Sequence, residues 1–174
     1  MYACDPQWWD VHAKDVLANF PGEKWTQDGP TAKKYGLNHI PGAHNAGLSL
    51  RKELIHFNAN SGAQALNLAV LWGAKRIILV GFDMGLQGKQ RHWFGDHPGL
   101  LNKATDYPDL IAKFGRIAED LKAIGVEVWN TSMESALPWF PKKPLDELLS
   151  SWSEISPSTG ETPLSPDSRI ADSA

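Results

Sequence analysis

The stretch from Asn60 to Asp83 limits what this chain can fold into more than any other. Ala63, Leu66, Ala69, Val70 and Gly73 recur at helical spacing. Ser61 with Gln64 three residues on fits a capping box, the hydroxyl accepting from a first-turn amide. Gly73 is a stop signal. Ile77 to Val80 is then a continuous apolar run, the pattern of a strand covered on both faces in a parallel sheet. Gly81 opens a turn, and Asp83 falls at the carboxyl end of that strand, the edge where open α/β sheets bind ligands. The helix start at Asn60, Ser61 and Gly62 is the other polar end, where free amides and the helix dipole favour an anion. Each end also has an ordinary use, as a cap or as a turn.

A second helix and strand follow. Asp106 caps, Pro108 lies in the first turn, and Leu110, Phe114, Ile117, Leu121 and Ile124 recur at three- and four-residue steps. Gly125 ends the helix, Val126 to Trp129 is a strand, and Asn130-Thr131-Ser132 lies at its carboxyl end. Helix, strand, long loop, helix and strand in that order are βαβ logic with parallel crossovers. Upstream, Met1 to Cys4 reads as the end of a strand. Asp5-Pro6 starts a helix carrying Trp8, Trp9, His12, Val16 and Leu17. Glu23 to Gln27, Leu37 to Ile40 and Leu54 to Phe57 are short strands, Thr31 to Tyr35 is one helical turn, and Pro41-Gly42 is a stop before an irregular run to Leu50. The expected fold is α/β: one three-layer Rossmann-like domain with a mostly parallel sheet over residues 1–149. Ser150 to Ala174 is expected to be a disordered Ser/Pro-rich tail.

Charge and composition exclude several classes. A net charge of -3 and a pI near 6.0 give no electrostatic case for nucleic acid. No apolar run approaches the roughly 20 residues of a membrane span, and the first residues lack the plan of a signal peptide. One cysteine, Cys4, excludes an internal disulfide and a cysteine zinc cluster. The expected location is cytoplasmic. The eight tryptophans either wall a pocket or close the core.

Three polar sets converge at strand ends in this topology: Asn60-Ser61-Gly62, Asp83 with its loop, and Asn130-Thr131-Ser132. Amides, hydroxyls and carboxamides in one crevice suit a nucleotide phosphate. The loop from Met84 to about Lys103 carries His92, Asp96 and His97, the acid/base cluster of the chain. Those rings equally serve the loop's own backbone, and without a fourth ligand nearby no metal site is assigned. Cys4 reads as a buried thiol, and His12, His39, His44 and His56 as surface or packing residues.

Asn60-Ser61-Gly62, Trp72-Gly73-Ala74-Lys75-Arg76-Ile77 running into Gly81-Phe82-Asp83, and Val126 to Ser132 resemble the core of the MptE-like (6-hydroxymethylpterin diphosphokinase-like) Rossmann superfamily. They are distantly similar to bacterial alpha-2,3/2,8-sialyltransferases. Tyr2 to Asp5, His92 to Pro98 and the chain to about Leu149 resemble uncharacterised proteins of tailed phages and prophages, which would place the chain in a host cytoplasm. The resemblance implies nucleotide contacts at Asn60, Ser61, Gly62, Asn130 and Ser132, and a general base at His97 or else His92. It also implies an earlier strand and a Gly-rich turn before Met1, which the domain is expected to lack.

The leading expectation is therefore a nucleotide- or nucleotide-sugar-binding, glycosyltransferase-like group transferase acting on a hydroxyl acceptor. One alternative is diphosphate transfer from ATP, with Mg²⁺ held by Asp83 or Asp96. The other is a phage accessory protein that binds without turnover.

Overall fold

A computed structural model describes residues 1–86, 101 and 105–153. In chain order the elements are α1 (Pro6–Asn19), β1 (Trp25–Thr26), α2 (Gly29–Tyr35), β2 (Asn38–His39), β3 (Gly42–Ala43), β4 (Ile55–His56), α3 (Ser61–Leu71), β5 (Arg76–Leu79), α4 (Tyr107–Ala123), β6 (Glu127–Asn130) and α5 (Leu145–Ser153). The strands pair as β1–β2, β3–β4 and β5–β6, each pair parallel. Tyr2 adds a parallel bridge to Trp25, and Lys142 adds one to Asn130. Helices alternating with parallel strands make the chain α/β.

Three helices start in one way. Asp5, Asp28 and Asp106 are N-caps, accepting from Gln7 N at 3.0 Å, Thr31 N at 2.9 Å and Asp109 N at 3.1 Å. Each has a proline in its first turn, where the missing amide costs nothing and the fixed φ suits the helix. The capping residue is worth about 1 kcal/mol in each case. Gly36 closes α2 in the left-handed conformation, φ +66°.

α3 departs from the expected capping box. Asn58 and Ala59 both have positive φ, +44° and +54°. They turn the chain so that Asn60, in extended conformation, is the cap and accepts from Ala63 N at 3.0 Å. Ser61 is thereby the first helical residue, and its hydroxyl is released for other contacts. Gln64 does not reach back to the cap. It is buried, donating from Nε2 to Phe57 O at 2.6 Å and accepting the Tyr2 hydroxyl at 2.5 Å.

The core explains why. α3 is covered on two sides. Ala63 and Leu66 join Leu79, Phe114, Ile117, Leu121, Val126, Val128, Leu137 and Phe140 in the main cluster. Leu68, one residue past the expected stripe, packs with Trp25, Ile40 and Ile55. Each fully buried Leu, Ile or Phe here contributes roughly 2 kcal/mol. A smaller cluster under α1 gathers Trp9, Ala13, Ala3, Ala32 and Leu37, with the Trp9 indole N–H donating to Ala3 O at 3.0 Å.

Other expectations change with the structure. The Ile77–Val80 run is not covered on both faces: Leu79 is buried but Val80 is 61% exposed. Among the described residues β5 has a strand neighbour, β6, on one side only. Gly42 is not a stop but opens β3, because Pro41 O and Ala43 O accept from Ile55 N and Phe57 N at 3.0 Å each. α5 runs to Ser153, four residues into the stretch read as a tail. Leu148 is buried beneath it, and the Ser150 and Ser151 hydroxyls donate back to Asp146 O and Leu148 O. No helix among the described residues is long and apolar enough to cross a membrane.

Candidate functional site

The chain between the Tyr2–Trp25 bridge and the start of α1 meets the first turn of α3. Ser61 Oγ stands 2.9 Å from Cys4 Sγ and accepts from the Cys4 amide at 3.4 Å. The Cys4 carbonyl accepts from Gln27 Nε2 at 3.2 Å, so this corner is tied from both sides. A cavity of about 370 Å³ opens there, lined by Tyr2, Ala3, Asp5, Trp8, Ser61 and Leu101. It falls at the low end of the roughly 300–1,000 Å³ range of small-molecule sites.

The groups around it differ in charge. Burial pushes the Tyr2 phenol and the Cys4 thiol upward, the thiol also feeling Asp5, so both are neutral near pH 7. Asp5 uses one carboxylate oxygen for the α1 cap. Trp8 is partly buried, with its indole edge-on to Trp9 at 5.2 Å and tilted on His12 at 4.8 Å. The Ala63 and Gln64 amides are satisfied by Asn60, whereas those of Ser61 and Gly62 have no acceptor among the described residues. They are the donors a helix start offers to an anion.

The three polar sets do come together, but at a packing contact rather than in the cavity. A Cβ added to Gly62 would lie 2.7 Å from Phe82 Cζ, so only glycine lets the start of α3 approach the loop after β5 this closely. Phe82 is edge-on to Phe114 at 6.0 Å. Its carbonyl accepts from Asn130 Nδ2 at 3.3 Å and from Ser135 Oγ at 2.5 Å. Asp83, beside it, accepts from Ala136 N at 2.8 Å through its backbone carbonyl.

Asn130 is not among the residues lining this cavity. It is fully buried, its Oδ1 accepting from Ser132 N at 2.9 Å and its backbone bonded to Pro141 O and Lys143 N. Ser132 is the far end of that same turn. A carboxamide at a strand end closes a loop as readily as it holds a ligand, and here the loop to Lys142 takes it. Asp83 and Gly62 are likewise not among the lining residues. Of the expected residues, Ser61 lines the cavity and Asn60 orders its helix. His92, Asp96 and His97 lie outside the described residues.

Tyr2, Asp5, Trp8 and Leu101 were not expected at the site. The Asp5-Pro6 helix start was legible in the sequence, but only as a cap. Of the other histidines, His39 Nε2 lies 3.2 Å from Gln27 O, and His44 packs edge-on to Phe57 at 4.6 Å. The described residues contain no group of three or more His, Cys, Asp or Glu placed to hold a metal ion. Comparison with protein-family models, curated proteins and solved structures returns no match for this chain.

Proposed function

We propose that this protein binds a nucleotide or nucleotide-sugar and acts as a glycosyltransferase-like group transferase on a hydroxyl acceptor, within a three-layer Rossmann-like domain of the MptE-like superfamily. One observation carries the reading: the cavity just after the Tyr2–Trp25 bridge, where Asp5 opens one helix and Ser61 opens another. Two helix starts at one corner combine anion donors with a carboxylate and an indole, the parts needed for a phosphate, a sugar and a base. In the proposed reaction the acceptor oxygen attacks the donor's anomeric carbon as the bond to the phosphate oxygen breaks. The acceptor proton passes to a base, the role the resemblance gives to His97 or else His92. The Ser61 and Gly62 amides take up charge on the departing phosphate.

A second reading is binding without turnover. It is favoured by the cavity's own side chains: among the described lining residues Asp5 is the one carboxylic side chain, none is basic, and burial holds the Tyr2 phenol neutral. Thermal shift of the full chain with CMP-, UDP- and GDP-sugars, and with ATP plus Mg²⁺, tests both. Stabilisation by a nucleotide-sugar without metal, with turnover abolished in His97→Ala, supports the transferase. Stabilisation with no turnover in either protein supports binding alone. Stabilisation only by ATP with Mg²⁺ shifts the reading to diphosphate transfer. No shift with any of them removes the nucleotide.

A further inference from the structure

One helix holds two groups of parallel strands side by side. Tyr2 pairs with β1, and β5 pairs with β6. Cys4, after the first, touches Ser61, and Phe82, after the second, lies against Gly62. Trp25 of β1 meets Trp72 at the other end of α3, where the chain turns into β5. Both groups thus run antiparallel to α3. Leu68 packs on the Trp25 side and Leu66 on the Leu79 side. Two arcs of the helix separate those faces. Asn67 lies in one, bonded to Ser49 and His56. Ser61, Ala65, Ala69 and Trp72, at i, i+4, i+8 and i+11, lie in the other. Ala65 and Ala69 are partly exposed and fall in none of the core clusters of the described residues, and Trp72 is 40% exposed. A helix is about 10 Å across, or about two strand spacings, so this arc leaves room for one strand between Tyr2 and β5.

The edges on either side of that room are unpaired. Lys75 O and Leu79 O accept from Glu127 N and Thr131 N, so Ile78 and Val80 turn their amides and carbonyls the other way. Tyr2 does the same, because Ala3 N donates to Trp25 O and Met1 O accepts from Trp25 N. No strand among the described residues meets either edge. Val80 is apolar yet 61% exposed. Parallel strands are ordinarily covered, and an apolar edge left open is a template for pairing. We infer that the gap takes one strand of another polypeptide, running parallel to Tyr2 and β5 and joining the two groups into one sheet. Its centre is aliphatic and uncharged over the four residues of β5. Charge sets its direction. Lys24 and Lys75 precede the walls, and Asp5 and Asp83 follow them. A parallel strand with an acidic residue before its apolar run and a basic one after it meets opposite charges at both ends, whereas the reversed strand meets like charges.

The experiment is amide exchange of the full chain by NMR, alone and with the peptide acetyl-Asp-Val-Ile-Val-Ile-Gly-Lys-amide. At saturation the Tyr2, Ile78 and Val80 amides are expected to exchange at least about tenfold more slowly, as open-edge donors become strand bonds. The same peptide with proline at its centre loses a ladder donor and is expected to leave them unchanged. Swapping its terminal Asp and Lys is expected to weaken binding at least about threefold at low salt. Absence of binding overturns the inference, as does binding without slowing at Ile78, equal slowing by the proline peptide, or tighter binding of the swapped one. Slow exchange at Ile78 in the peptide-free monomer would show the edge already covered within the chain, and slowing that grows with protein concentration alone would assign it to a second copy. Either result also overturns the inference. All arms use the wild-type chain, so none depends on a variant that folds.

Discussion

Replacing Asn67 with leucine removes a polar group on which a whole loop depends. Asn67 is fully buried on α3. Its Oδ1 accepts from Ser49 N at 2.9 Å and His56 N at 3.1 Å, and its Nδ2 donates to Ser49 O at 2.8 Å. Ser49 is itself only 2% exposed, so water does not replace what is lost. Leucine is close in volume and leaves three backbone groups without partners. Each orphan costs about 1–3 kcal/mol, and leucine's better helix propensity returns only a few tenths. After partial relaxation the expected loss is about 3–5 kcal/mol, a large part of the roughly 5–15 kcal/mol that holds a domain together. At about 2–4 °C per kcal/mol for this size, Tm falls by about 6–20 °C. Asn67→Asp keeps the acceptor but turns an oxygen toward Ser49 O. It is expected to be similarly unstable near neutrality and partly rescued near pH 4, where a protonated carboxyl donates again. Urea denaturation followed by tryptophan fluorescence measures both. A shift below about 1 kcal/mol for Asn67→Leu, with the slope unchanged, would refute the clamp.

Two further outcomes follow from the same contacts. Asn130→Ala is expected to lower stability by about 2–4 kcal/mol, because the Ser132 amide loses its side-chain acceptor and Phe82 O loses a donor. Ligand affinity, measured well below its melting point, should change little; a selective loss of affinity at normal stability would instead put Asn130 in the site. Alkaline pH gives the other. Burial raises the Tyr2 and Cys4 values above their ordinary 10.0 and 9.0, so the folded state favours the neutral forms. That stabilisation is complete below the unfolded values and is lost as pH climbs past them. The urea midpoint should hold to about pH 8.5 and fall steadily toward pH 11, with Tyr2→Phe flattening most of the fall above pH 10. A wild-type midpoint constant to pH 11 would show that neither group is sheltered.

Local signals carried the elements they encode. Asp-Pro pairs and near-pairs mark the starts of α1, α2 and α4 because capping and the proline φ act within one turn. The amphipathic stripe of α4 held because one face of that helix meets the core. α3 was read less well. Its stripe named Ala63 and Leu66 but not Leu68, Gln64 or Asn67, since the pattern of a single helix does not show a second packed face. Gln64 and Asn67 look like solvent-side residues in sequence, and only the neighbours brought by folding make them buried connectors.

The site divides in the same way. That strand ends and helix starts would carry the polar groups was written in the sequence, and Ser61 was legible as one of them. Which strand end opens onto a cavity was not. Asn130 ends β6, and Asp5 is a short polar residue three positions after the Tyr2–Trp25 bridge. A returning segment through Lys142 and Lys143 buries the first. The start of α3 meets Cys4, the neighbour of the second, across a gap of more than fifty residues in the chain. Propensity and capping depend on neighbours a few positions away, so the order of residues decides them. Exposure depends on what else arrives at the same place, and that is settled only when distant segments pack.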